Sequence, residues 1–148
     1  LNAAAAAVPG GPASAQLPRD LEALRHKEAV LVAVGDIAPV LRKQMGAEAF
    51  GAHMEPVLRA HALAELGSAV GFMRARAASL YAAMYRHLPF RDAGHFAQSA
   101  EALVGLLDDK ELPVRVQAAM GLQHLVPRAA AAPLLLPRLA ALVGRLFW

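Results

Sequence analysis

Apolar residues recur three and four positions apart through most of this chain, and the pattern breaks at prolines, glycines and short polar turns. That period belongs to amphipathic helices. The first predicted helix covers about 21–43 and gathers Ala29, Val30, Ala33, Val34, Ile37, Val40 and Leu41 on one face; Pro39 should bend it or interrupt its hydrogen-bond ladder. A second, about 49–66, turns Phe50, Met54, Val57, Leu58 and His61 inward, with Pro56 allowing a start nearer Glu55. Gly67, Ser68 and Gly71 make a turn before a third helix, 72–87, whose inner positions are Met73, Ala77, Leu80, Tyr81, Met84 and Leu88, and which Pro89 closes. Asp92 suits the N-cap of a fourth that buries Phe96, Ala100, Leu103 and Leu107. Pro113 opens a fifth with Val114, Ala118, Leu122 and Leu125 inside, ended by Pro127. A sixth starts near Ala132 or Pro133 and presents Leu135, Leu139, Leu142, Val143 and Leu146.

Two of these helices open alike. Phe72-Met73-Arg74-Ala75-Arg76-Ala77-Ala78 and Pro113-Val114-Arg115-Val116-Gln117-Ala118-Ala119 place Arg74 and Arg115 41 residues apart, a period typical of two-helix solenoid repeats. The expected fold is therefore all-α: a superhelix of about three antiparallel helical hairpins, paired as 21–66, 72–107 and 113–147. A hairpin with apolar faces on both helices cannot cover itself, so neighbours must cover one another. Ala77, Ala78, Ala118 and Ala119 are the small residues expected where helices approach closely. Asp109, in the turn before Arg115, is placed to cap nearby amides or to meet Arg74 or Arg115, joining turns into a ladder. The position matching Asp109 one repeat earlier is Ser68, which weakens that rung.

Composition adds two constraints. The 148 residues are 57% hydrophobic with 5% aromatics and no cysteine, which suits close helix packing and removes disulfide, thiolate and cysteine–metal chemistry. The formal charge is only +3, and the 15 basic residues are scattered from Arg19 to Arg145 without forming a stripe, so direct nucleic-acid binding is not expected. Charges and prolines divide every apolar run well short of a membrane span, so no membrane insertion is expected. Residues 1–18, with five successive alanines, three prolines and paired glycines, read as a low-complexity loop or disordered segment ahead of a repeat region over 19–148. The first residue, Leu1, and the apolar end Arg145-Leu146-Phe147-Trp148 read as an excerpt whose neighbour is missing.

Candidate chemistry is sparse. The six histidines, His26, His53, His61, His87, His95 and His124, include no pair at helical zinc spacing with an intervening glutamate. His53 and His61 read as half-buried, hydrogen-bonded side chains. Asp108, Asp109 and Glu111 lack the spacing of a calcium loop and read as capping residues. No glycine-rich phosphate cradle or nucleophile elbow is present, and Ser79 has no assignable activating partner. The expectation is a binding protein and not an enzyme, with no cofactor and no metal. Among the aromatics, Tyr81 and Phe96 fit the core, whereas Phe72 and Phe90 are candidates for hydrophobic contact with a partner.

The ordered set Gly71-Phe72-Met73-Arg74-Ala75-Arg76-Ala77 and Leu107-Asp108-Asp109-Lys110-Glu111-Leu112-Pro113-Val114-Arg115-Val116-Gln117-Ala118-Ala119 resembles middle-to-late HEAT repeats of the importin-beta superfamily, nearest the branch of importins seven and eight. Lys27-Glu28-Ala29, Gly35-Asp36-Ile37-Ala38 and His53-Met54-Glu55 follow that branch in the same order, so the resemblance runs over about 27–147. The chain departs from the family at Ala78-Ser79-Leu80-Tyr81-Ala82-Ala83-Met84-Tyr85, where a tryptophan-containing aromatic helix is common. The resemblance implies an internal segment of a nuclear transport receptor, shuttling between nucleus and cytoplasm. Its implied partners are protein cargo, the GTPase Ran, bound mainly by earlier repeats, and phenylalanine-glycine nucleoporins. A HEAT-repeat scaffold unrelated to transport is the alternative.

Overall fold

A single glycine separates the first two helices. In the computed structural model, which describes the backbone of residues 13–146 and the side chains of 20–144 other than Leu139, α1 (Ala13–Met45) stops at Gly46 and α2 (Ala47–His61) starts immediately after it. Gly46 has φ 83° and ψ 157°, a region essentially reserved for glycine, where a side chain costs about 1–3 kcal/mol. A 3₁₀ turn, Ala64–Gly67, leads to α3 (Gly71–His87). Asp92 then caps α4 (Ala93–Leu106) by accepting the His95 N–H at 3.0 Å, and Pro113 sits in the first turn of α5 (Leu112–Leu125).

The expected single sixth helix is broken into pieces. A 3₁₀ turn at Ala129–Ala131 precedes α6 (Ala132–Leu135), a second at Leu136–Arg138 follows it, and α7 (Leu139–Leu146) completes the described chain. Pro137 lies at the break and has no N–H to continue an α-helical ladder. At the other end, residues 1–12 of the segment read as low-complexity lie outside the described residues, and 13–18 form the first turns of α1. Their alanines, with Gln16 and Leu17, are strong helix formers. Pro39 does not end α1 either.

These helices form two layers. α3 lies between α1 and α5, while α2, α4 and α6 run the opposite way in the second layer. Glu28 on α1 meets Arg76 on α3, and Arg74 on α3 meets Asp109 just ahead of α5, so the three first-layer helices are parallel and nearly in register. No strand occurs among the described residues. The fold is an all-α stack of HEAT-type hairpins, about three in number.

The core runs between the layers. Met73, Ala77, Leu80, Tyr81, Met84 and Leu88 are all buried, as the α3 pattern predicts, and Tyr85 joins them. Each of the large ones contributes about 1.5–3 kcal/mol on leaving water, so apolar burial dominates cohesion. α4 buries Phe96, Ala100 and Leu103, and α5 buries Val114, Ala118 and Leu125, with Leu107 and Leu122 packed at the margin.

The predicted face of α1 is corrected. Ala29, Val30, Ala33, Ile37 and Val40 are exposed; of the predicted face only Val34 and Leu41 pack inward, in a stripe completed by Leu24, Leu31 and Ala38. Both stripes have helical spacing, and α1 packs chiefly against α2 and α3, with Lys27 also meeting Glu65 in the 3₁₀ turn, so the second stripe is left uncovered. On α2, Phe50 and Leu58 are buried and Met54 partly so, but Val57 and His61 face outward; Glu55 occupies the inner position that an apolar pattern does not anticipate.

Candidate functional site

The turn before each repeat helix is built on one plan. Ser68 Oγ accepts the N–H of Val70, two residues on, and Asp109 Oδ1 accepts that of Glu111 in the same way. Arg74 Nη1 donates back six residues to the Ser68 carbonyl at 2.8 Å; Arg115 Nη1 donates back six residues to the Asp109 carbonyl at 2.7 Å. Each arginine therefore ties its helix to its own turn. A side chain in the turn satisfies amides that the helix start leaves open.

Between repeats the plan becomes a clamp. Arg74 Nε donates to Asp109 Oδ2 at 2.6 Å and Nη2 to Oδ1 at 2.9 Å, a two-pronged ion pair from α3 to the turn before α5. A longer contact of 3.4 Å reaches Glu111 Oε1. Both partners are almost buried, with side-chain exposures of 10% and 8%. Bonding to Asp109 holds the guanidinium pKa above its ordinary value, and bonding to Arg74 holds the Asp109 carboxyl below the usual carboxylate range. Gly71 makes room for the approach, since a Cβ there would fall 2.0 Å from the Glu111 carboxylate. Ser68 keeps the turn contact but has no charge.

A second set of polar groups pins α3 to α4 and α2. Tyr81 Oη lies 2.7 Å from His95 Nε2, and Tyr85 Oη lies 2.6 Å from Ser99 Oγ, which also donates to the Phe96 carbonyl. Glu55 accepts the N–H groups of Arg91 and Asp92 at 2.9 and 3.1 Å, fastening α2 to the start of α4. His95 Nδ1 is buried without a hydrogen bond, 3.6 Å from Glu55. Desolvation lowers the His95 pKa even though Glu55 and Asp92 oppose it, and it raises those of both tyrosines. Arg128 donates to the carbonyls of Tyr85 and Leu88 and lies over the Phe90 ring, so the segment after α5 is tied back to the end of α3. The carboxylate–imidazole–phenol order of Glu55, His95 and Tyr81 holds no reactive group open to a substrate, because Tyr81 and His95 are 0% and 1% exposed.

Ala77, Ala78 and Ala118 are fully buried in the core that α3 and α5 share, whereas Ala119 is half-buried at the margin. Ala119 lines an apolar groove of about 400 Å³ with Leu107, Leu122, Val126, Leu135 and Leu142. Phe72 and Phe90 are both half-buried but face different grooves. Phe72 borders a polar one of about 270 Å³ on the first layer, with Glu28, Arg76, Glu111 and Gln117. Phe90 packs on Tyr85, His95 and Phe96 and borders a groove of about 440 Å³ between the second-layer elements α4 and α6, with Arg128, Pro133 and Leu134. His53 and His61 are exposed and separate, against the half-buried reading. No group of three metal-ligating side chains occurs among the described residues, and no described helix is long and apolar enough to cross a membrane.

Arg74, Asp109 and Arg115 were legible as a repeat pattern; Glu55 and His95 were not. A histidine three residues after an Asp N-cap, in phase with Phe96 and Ser99, was the available signal.

Stacked two-layer hairpins with equivalent arginine-bound turns define a HEAT-type helical-repeat protein. No family model matches the chain, and no solved structure matches it significantly. Named relatives do. It is 32% identical over 123 residues to a Dictyostelium discoideum protein described as "Probable importin-7 homolog", 83% of this chain and 11% of that one. It is 31% identical over 102 residues to the Arabidopsis thaliana "Importin beta-like SAD2 homolog" and 34% identical over 103 residues to human "Importin-8", in both cases 69% of this chain and 10% of the relative. The chain belongs to the importin-beta superfamily, in the branch of importins seven and eight. It spans about a tenth of the length of the curated relatives it matches.

Proposed function

We propose that this chain is an internal, protein-binding segment of a nuclear transport receptor that shuttles between nucleus and cytoplasm. The observation that carries this reading is its similarity, over most of its length, to one stretch of several importins. The open stack suits that role. Val30, Ile37 and Val40 on α1, and Val116 and Met120 on α5, leave apolar surface at both ends of the described stack, where further hairpins would fit. The arginine-clamped turns provide a repeat ladder that keeps neighbouring hairpins in register while the first layer meets protein cargo. The second-layer groove bordered by Phe90 suits an aromatic side chain and is the position we assign to phenylalanine-glycine nucleoporin contact. Ran in its GTP state acts through repeats outside this chain, lowering cargo affinity by linkage between the two sites.

The test is a pull-down with the full-length product that contains this segment. Cargo retained from nuclear extract and released by GTP-loaded Ran is the expected result, with accumulation at the nuclear envelope. Insensitivity to Ran together with no envelope association would favour a HEAT-repeat scaffold serving another assembly.

A further inference from the structure

The parallel run of α1, α3 and α5 brings their C-terminal ends to one edge of the first layer, at Met45, His87 and Leu125. Each last turn is basic: Arg42 and Lys43, Arg86 and His87, and His124. Attraction between a cation and a helix C-terminus accounts for the basic residues of each helix taken alone. It does not account for the absence of compensating acid. Five arginines elsewhere meet carboxylates, Arg59 with Asp92, Arg74 with Asp109, Arg76 with Glu28, Arg91 with Glu48 and Arg138 with Glu101, and Arg115 and Arg128 bond to backbone carbonyls. Among the described residues, none of the five side chains at this edge has a carboxylate partner. Arg42, Lys43 and Arg86 are exposed, and His87 and His124 half-buried. The groups facing His87 are Arg86 on its own helix, Arg42 from α1 and His124 from α5, none of them acidic; desolvation and these neighbours lower its pKa.

We propose that this edge binds an acidic segment of a partner polypeptide, whose carboxylates bridge Arg42, Arg86 and the two histidines. Three neighbouring helix ends spaced about 8–10 Å apart span about 20 Å, the reach of about six extended residues. A peptide therefore matches the edge in length as well as in sign. Single-stranded nucleic acid is the other polyanion to weigh, but it needs aromatic faces for stacking. The tyrosines of α3 are buried, and Phe90 borders a different groove. The proposal rests on the first-layer geometry and stands whether or not the chain takes part in transport.

Docked carboxylates favour the protonated form of His87, so binding takes up a proton there and tightens as pH falls toward about 6. Fluorescence anisotropy on the 148-residue chain reads this directly, with a labelled peptide of alternating glutamate and glycine as one probe and oligouridylate as the other. Saturable peptide binding that weakens at least about tenfold in Arg42→Ser/Arg86→Ser is the expected result, along with tighter binding at about pH 6 than at about pH 7.5. Arg25→Ser/Lys110→Ser, which removes two basic residues away from this edge, should change affinity less than about twofold. All four side chains are exposed, so both double variants should retain the helical circular dichroism of the parent. No peptide binding, equal loss in both double variants, or oligouridylate binding tighter than peptide would each overturn the proposal.

Discussion

Replacing Asp109 by serine would make the turn before α5 a copy of the turn before α3, where Ser68 caps its amide without a charge. The Glu111 N–H would keep an oxygen acceptor, so the loss isolates the ion pair. Arg74 would lose bonds of 2.6 and 2.9 Å and remain at 10% side-chain exposure with the Ser68 carbonyl and a 3.4 Å contact to Glu111. Removing one member of a buried pair costs about 3–5 kcal/mol. The two remaining acceptors place the expected loss near the lower end, about 3 kcal/mol. Arg74→Leu removes the other charge, and the double variant removes both. Because no buried charge is then stranded, the double variant should lose less than the sum of the singles, with a coupling of about 2 kcal/mol or more. Urea denaturation followed by circular dichroism supplies the four free energies. A coupling below about 0.5 kcal/mol would mean that the clamp adds nothing beyond its separate turns, and the reasoning would fail.

Other substitutions test the packing around that clamp. Tyr81→Phe strips His95 of its hydrogen-bond partner and should cost about 1–3 kcal/mol, whereas Tyr85→Phe leaves Ser99 bonded to the Phe96 carbonyl and should cost about 1 kcal/mol; thermal melts giving the reverse order would count against the network. Because burial lowers the His95 pKa in the folded chain, its contribution is present above the ordinary histidine range and lost as pH falls through the folded value. The melting temperature should therefore drop between about pH 7.5 and 5.5, with a shallower slope in His95→Gln than in the parent. Ala118→Phe, at a fully buried position in the core shared by α3 and α5, should cost about 1–3 kcal/mol or more. An unchanged urea midpoint would show that these helices are not closely packed there.

The sequence by itself determined that this chain is helical and repetitive. The three- and four-residue spacing of Met73, Ala77, Leu80 and Met84, and the 41-residue return from Arg74 to Arg115, needed no coordinates, because helix period and repeat period are properties of the string. The ordered motifs around those arginines likewise carried the family. Tertiary structure alone decided which of two apolar stripes on α1 is covered: Val30, Ile37 and Val40 have helical spacing as good as that of Leu24, Leu31 and Ala38, and the placement of α2 and α3 selects between them. It also decided that Glu55 and His95 lie inside, since their burial depends on backbone amides and a phenol supplied from elsewhere in the chain. The basic edge has the same origin. Arg42, Arg86 and His124 are scattered along the string, and they become neighbours because parallel stacking brings equivalent helix ends together.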